Sequence, residues 1–293
     1  MIEVPALLAL ITSAVISYNN SVVVAGPLIS IGVGRYLARI ASGASITLGA
    51  IVLGWFMRIP QQCSFDSAIE IYIAILIPML VSTFFRVPFS ASIALIGSKI
   101  GSDLSRGMID VPWISETALL WLLSGVIVTV LTIALHRVLG GAALISKKTF
   151  LLLGISRISI LIISIASGIL LGANTLGFLS SLECHRLLWI VAIGGAAASL
   201  PGSVMLEGMF RWFSVKHLSA ASIQLSVVTG IAIATRFGLP LSHTYALMLS
   251  AAGYSASSGM SIFSRKQFLI AVRSWICSIA IATAISWGLF RTL

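Results

Sequence analysis

The stretch VPFSASIAL (Val87–Leu95) sits in the middle of a long apolar tract, and LPLSHTYAL (Leu239–Leu247) repeats it 152 residues later. Each carries a proline followed at once by two hydroxyl residues, Ser90 and Ser92 in the first and Ser242 and Thr244 in the second. Proline suits the first turn of a helix, where its missing N–H is not needed. Both stretches therefore predict a helix that starts inside apolar surroundings instead of running through them. Two further pairs share nearly the same offset. Trp121-x-x-Ser124-x4-Thr129 returns as Trp275-x-x-Ser278-x4-Thr283 at offset 154, and Asn19 returns as Asn174 at offset 155. Three features in one order divide the chain into two repeats, 1–140 and 141–293.

The surroundings are a membrane. The 293 residues are 58% hydrophobic and only 9% charged, with a mean hydropathy of +1.10. That charge is too sparse for a water-facing surface, which typically needs about 25%. Lipid admits only helices or closed barrels, and a helical span takes about 20 apolar residues. Apolar runs bounded by charge, Gly or Pro give an all-α, polytopic chain of about ten segments, near 4–33, 37–57, 67–86, 88–102, 114–136, 149–182, 187–206, 218–236, 239–260 and 267–290. The first and sixth are long and contain asparagines; the fourth is short. The first run begins after a Glu and leads into asparagines, so it reads as part of the mature chain and not as a cleaved leader.

If each segment crosses once, the loops alternate in charge. One side collects 12 of the 18 basic residues and the other 6, while the 8 acidic residues split 1 against 7. The positive-inside rule makes the basic side cytoplasmic and both termini extracytoplasmic, as in a multi-pass protein of the plasma membrane. The net charge of +10 then belongs to helix ends facing the cytoplasm, not to a nucleic-acid partner. Of the three cysteines, Cys63 and Cys184 fall in loops on the same side, so a bridge between them is open; their spacing suggests no metal site.

Five segments per repeat turn the second copy upside down. Inverted repeats with interrupted helices at matching positions mark secondary transporters that bind at the repeat interface near the midplane. A helix N-terminus offers free N–H groups and the positive end of the dipole, which favour an anion, and serine hydroxyls add donors. The residues expected to hold a small oxyanion are Ser90, Ala91, Ser92, Ser242, His243 and Thr244, with Ala91 and His243 contributing backbone N–H groups. Asn19, Asn20, Asn174 and Thr175 are expected to line the same site and any cation site. The competing reading is packing: small hydroxyl residues are common at interhelical contacts, and each asparagine is equally suited to an interhelical hydrogen bond. His243 is suited to carrying a proton or to sitting buried and neutral. No catalytic set, metal-ligand spacing or phosphate-cradling loop is present, which predicts a non-enzyme without resident cofactor or metal.

These motifs resemble the inorganic phosphate transporter (PiT) family, whose two inverted repeats each carry a Gly-Ala-Asn-Asp-x-x-Asn and a Leu-Pro-x-Ser-x-Thr-His-Ala motif. GLPLSHTYALMLSAAGY from Gly238 and RVPFSASIALIGSKIG from Arg86 are similar to the serine motif; GANT (Gly172–Thr175) and, more weakly, SYNN (Ser17–Asn20) are similar to the asparagine motif. The chain is a divergent member by this reading. The family's aspartates fall on Asn20 and Thr175, its motif histidines on Ile93 and Tyr245, and a frequent glutamate on Ile46. The resemblance implies phosphate transport by alternating access with sodium or proton as coupling ion. Losing two carboxylates weakens a site for hard cations more than a site for an anion. The alternatives are a sulfate or other oxyanion permease, and a non-transporting membrane sensor or scaffold. The expected partners are the oxyanion and the lipid bilayer, and a homodimer is open.

Overall fold

The structure is a computed structural model that describes residues 3–58, 65–85, 90–145, 149–200, 217–259 and 265–292. Every regular element among them is helical: α1 (Glu3–Ser30), α2 (Arg35–Leu53), α3 (Phe65–Phe85), α4 (Ala91–Ser105), α5 (Val111–Ile145), α6 (Thr149–Leu171), α7 (Gly177–Ser181), α8 (Leu188–Gly195), α9 (His217–Arg236), α10 (His243–Ser258) and α11 (Arg265–Thr292). A π turn, Gly172–Leu176, joins α6 to α7. The chain is a polytopic membrane protein. Among the described residues, five stretches are long and apolar enough to cross a bilayer: Val4–Ser30, Arg35–Phe56, Val111–Leu139, Gly154–Ser181 and Phe268–Arg291.

The polarity is that of a protein dissolved in lipid. Leu119, Leu122, Val126 and Val130 form an exposed stripe along α5, and Ile155, Ile158 and Ile162 another along α6. Serines and threonines point inward instead; Ser13, Ser42, Ser98, Thr132, Ser167 and Ser250 are all fully buried. Most bond back to a carbonyl of their own helix, as Ser42 does to Ala38 at 2.9 Å and Ser98 to Ala94 at 2.8 Å. Small residues let the helices approach closely. Gly194 of α8 faces Ser13 of α1, and Gly168 of α6 faces Ser45 of α2.

Two helices are too short to span. α4 has 15 residues and α10 has 16, about 22–24 Å at 1.5 Å per residue, against roughly 30 Å of hydrocarbon. Both start with a serine cap, and each leans on the final helix of the opposite half: α4 on α11, and α10 on α5. The contacts recur residue by residue. The Thr283 hydroxyl donates to the Gly97 carbonyl at 2.9 Å, and the Thr129 hydroxyl to the Leu249 carbonyl at 3.3 Å. Gly101 lies against the Thr283 carbonyl, and Gly253 against the Thr129 carbonyl. Gly97 and Leu249, like Gly101 and Gly253, stand 152 positions apart. The Trp-Ser-Thr motifs thus supply the threonines of these paired contacts.

Two expectations change. Pro240 lies two residues before the cap Ser242, not in the first helical turn, because Ser242 itself takes the capping position and its hydroxyl accepts from the Tyr245 amide. Val87–Phe89 lie outside the described residues. α1 runs unbroken through Asn19 and Asn20. Lys99 is not a solvated loop charge: it is buried in α4, ion-paired to Asp103 at 2.6 Å, with its ammonium 5.9 Å from the centre of the Trp113 ring. Some of the loops assigned to one side touch. Arg58 N–H donates to the Gly238 carbonyl at 3.4 Å, Trp55 packs on His185, and Arg106 lies 4.5 Å from the Phe290 ring centre.

A Cβ on Gly253 would meet the Thr129 carbonyl oxygen at 2.7 Å. Gly253→Leu should therefore cost about 2 kcal/mol or more by overpacking, seen as a lower melting temperature in detergent. Gly154, with no neighbour within 4 Å of its would-be Cβ, should accept alanine with no loss.

Candidate functional site

The two serine caps meet. Ser90 Oγ and Ser242 Oγ are 2.7 Å apart, both residues buried. Each hydroxyl also accepts from the third amide of its own helix, Ile93 N–H at 3.4 Å and Tyr245 N–H at 3.2 Å. Their extended backbones (φ −104°, ψ 114° at Ser90; φ −70°, ψ 120° at Ser242) are those of N-cap residues. The first-turn amides of Ala91, Ser92, His243 and Thr244 have no acceptor within their helices, and the positive ends of both dipoles converge on the serine pair. Thr244 Oγ1 is 3.0 Å from Ser242 Oγ, and Ser92 Oγ donates to the Leu241 carbonyl at 3.5 Å. Six expected residues are thus at one place, and both cap hydroxyls also bond within their own helices.

Asn174 shapes the approach to the second cap. Its amide nitrogen donates to the Leu239 carbonyl and to Thr235 Oγ1, both at 3.1 Å, and its oxygen accepts from the Leu241 N–H at 2.9 Å. The π turn that carries it, with buried Thr175 beside it, aims the side chain at the Leu239–Leu241 segment. Asn19 is its counterpart. It donates to Thr83 Oγ1 at 2.7 Å, as Asn174 does to Thr235, and Thr83 and Thr235 each donate back to their own helix at Met79 and Ile231. Thr83 and Thr235 again lie 152 positions apart. Asn20 makes only a local bond, to the Ile16 carbonyl at 3.0 Å.

The His243 ring turns away from the serine pair, toward α6, where Nε2 lies 2.8 Å from Ser167 Oγ. Tyr245 is held between two tryptophans. It stacks on Trp121 with ring centres 5.4 Å apart, meets Trp275 edge-on at 5.6 Å, and donates its hydroxyl to the Trp121 carbonyl at 3.0 Å. Trp121 Nε1 donates to the Pro240 carbonyl at 2.6 Å. Thr83, Thr235, Trp121 and Ser167 are therefore parts of this region that motif reading did not assign. Gln224 on α9 was passed over too, a buried amide in which neither polar atom has a hydrogen-bond partner. Among the described residues no three His, Cys, Asp or Glu side chains are grouped to hold a metal.

No protein-family model matches the chain, and no curated protein matches its sequence. The fold does have a counterpart. The solved structure of a sodium-dependent phosphate transporter superposes with a TM-score of 0.86 over 99% of this chain and 98% of that one, at 13% sequence identity. At that identity the likeness is one of fold.

Removing Asn174 would strand the Leu239 carbonyl and the Leu241 N–H in a dry interior. Asn174→Ala should cost about 3 kcal/mol and accelerate hydrogen exchange at Leu241. Thr235→Val, which removes one bond and strands less, should cost about 1 kcal/mol. Unfolding and exchange of the purified variants read both.

Proposed function

We propose that the chain is a secondary transporter of inorganic phosphate, working by alternating access between inverted repeats 1–140 and 141–293 and coupled to a cation. The observation that carries this reading is the Ser90–Ser242 contact, where two capped half-helices meet at their N-termini. The Ser90 and Ser242 hydroxyls share a hydrogen bond with each other; an oxyanion between the caps would receive hydroxyl protons and the first-turn N–H groups directly. The paired contacts at offset 152 support the two-repeat division. The fold shared with a sodium-dependent phosphate transporter supports the substrate class.

Ser90, Ala91, Ser92, Ser242, His243 and Thr244 are the proposed anion ligands, His243 through its backbone. Asn174 acts one step back, by fixing the backbone before the second cap, and Asn19 is tied to Thr83 on α3. Asn20 and Thr175 stand where carboxylates would hold sodium, so they offer a hard cation only neutral oxygens. The basic loops put α9's first residue and the α10–α11 connection in the cytoplasm and the termini outside, in the plasma membrane. Disulfide-bonded Cys184 lies on the proposed outer side, where bonds of this kind persist; Cys277 is free and exposed, and Cys63 lies outside the described residues.

One observation favours a second substrate. Among the described residues no carboxylate hydrogen-bonds to Ser90, Ser92, Ser242 or Thr244. A phosphate carrying a proton needs an acceptor for it, whereas sulfate does not.

Proteoliposomes should accumulate labelled phosphate under an imposed cation gradient; absence of uptake under both sodium and proton gradients would sink the reading. Ser242→Ala should lower uptake at least about tenfold, the loss of one hydrogen bond to a charged group, with the protein still folded. Unlabelled sulfate competing better than phosphate would move the assignment to sulfate.

A further inference from the structure

The turn between α7 and α8 carries a carboxylate that the anion site does not use. Glu183 is 1% exposed, and neither of its oxygens has a hydrogen-bond partner. Tyr72 of α3, fully buried, presents its hydroxyl to it, near enough to interact but outside hydrogen-bond geometry, and that hydroxyl is likewise unpartnered. The turn is pinned. Cys184 and His185 hold left-handed backbone (φ 52° and 61°), which few non-glycine residues adopt. Cys184 is disulfide-bonded, and the His185 ring bridges Ser180 Oγ at 2.8 Å and the Met57 carbonyl at 2.9 Å. The residues that follow Glu183 in the turn are therefore held in place.

An ionised carboxylate sealed from water without hydrogen bonds is costly, and the usual relief is to take up a proton. We propose that Glu183, facing Tyr72, is a proton-binding site tied to closure of this end of the protein: closed, it holds a proton, and opened to water it releases one. The link to transport rests on the transporter reading above; the proton site itself does not. On closure an aqueous proton joins the carboxylate beside the Tyr72 hydroxyl. On opening the proton returns to water.

The charged and titratable groups acting on Glu183 are the Tyr72 phenol from α3 and the Arg186 guanidinium from its own turn, both favouring ionisation. Burial outweighs them and pushes the carboxyl up to about 7. The folded protein then holds more protons than the unfolded chain between the ordinary carboxylate range and about 7. Stability should accordingly fall as pH rises through that window.

The test is infrared titration of the purified, reconstituted protein. Wild type should show a protonated carboxyl band that disappears as pH rises through neutrality, and Glu183→Gln should lack it. Tyr72→Phe should shift the band's frequency while leaving it titratable. A spectrum with no band lost in Glu183→Gln, or a band unmoved in Tyr72→Phe, overturns the proposal. The glutamine mimics the protonated side chain, so it should fold, and its melting temperature should lose the wild-type decline with pH. In proteoliposomes phosphate changes its own protonation in the same range, so the informative quantity is the difference between wild type and Glu183→Gln. A flattened pH profile of uptake in the variant supports coupling; an unchanged profile overturns it. Failure of all uptake would overturn the transporter reading and leave the infrared result to decide this one.

Discussion

A chain that leaves the helix inside a bilayer has no water to satisfy its N–H and C=O groups. Here the amide of Asn174 does so, donating to the Leu239 carbonyl and accepting from the Leu241 N–H. That one side chain supplies what a continuing helix would have supplied. Trp121 satisfies the Pro240 carbonyl between them, and Ser242 then caps α10. With these partners the second half-helix can begin at depth and meet the cap of the first. Thr235 fixes the asparagine amide in turn, so the break is held by a short relay of hydroxyl, amide and backbone.

The rest of the architecture brings the caps together. α4 and α10 touch at their first residues and then lean on different partners, α11 and α5. Glycines at 97, 101 and 253 bring backbone to backbone at these contacts, and Thr129 and Thr283 bond across them. Lipid offers no hydrophobic drive to press two apolar helices together. Close approach and hydroxyl–carbonyl bonds take over that role, which is why the interior is serine-rich and the outside is leucine and isoleucine.

Much of this was legible in the sequence because membrane helices announce themselves by length and apolarity, and the two serine caps by their matching motifs. Most of the ten segments match helices within a few residues, although α5 runs nine residues beyond the fifth and α8 ends at Gly195, well before the end of the seventh, and the serine positions mark both caps. The helix starts were misjudged by about one turn, since proline suits a first helical turn while serine competes for the cap. The relay partners were harder to see. Thr83 and Thr235 are ordinary threonines near the ends of apolar runs, and only their distance of 152 sets them apart. Glu183 read as a loop charge because its burial depends on α3, far away in the chain. Lys99 misled for the opposite reason: its i, i+4 partner Asp103 was visible, but not that both are buried.

The exchanged contacts also govern how the protein is made. α4 (Ala91–Ser105) takes its place against α11, which does not begin until Arg265. During synthesis the first serine helix therefore has α3 beside it but lacks its principal neighbour until α11 has been made. A short, capped helix with buried charge at Lys99 and Asp103 must wait at the translocon or in lipid for a partner from the far end of the chain. Truncation before α11 would then be felt most in the first half, at α4, and not only in the half that was cut.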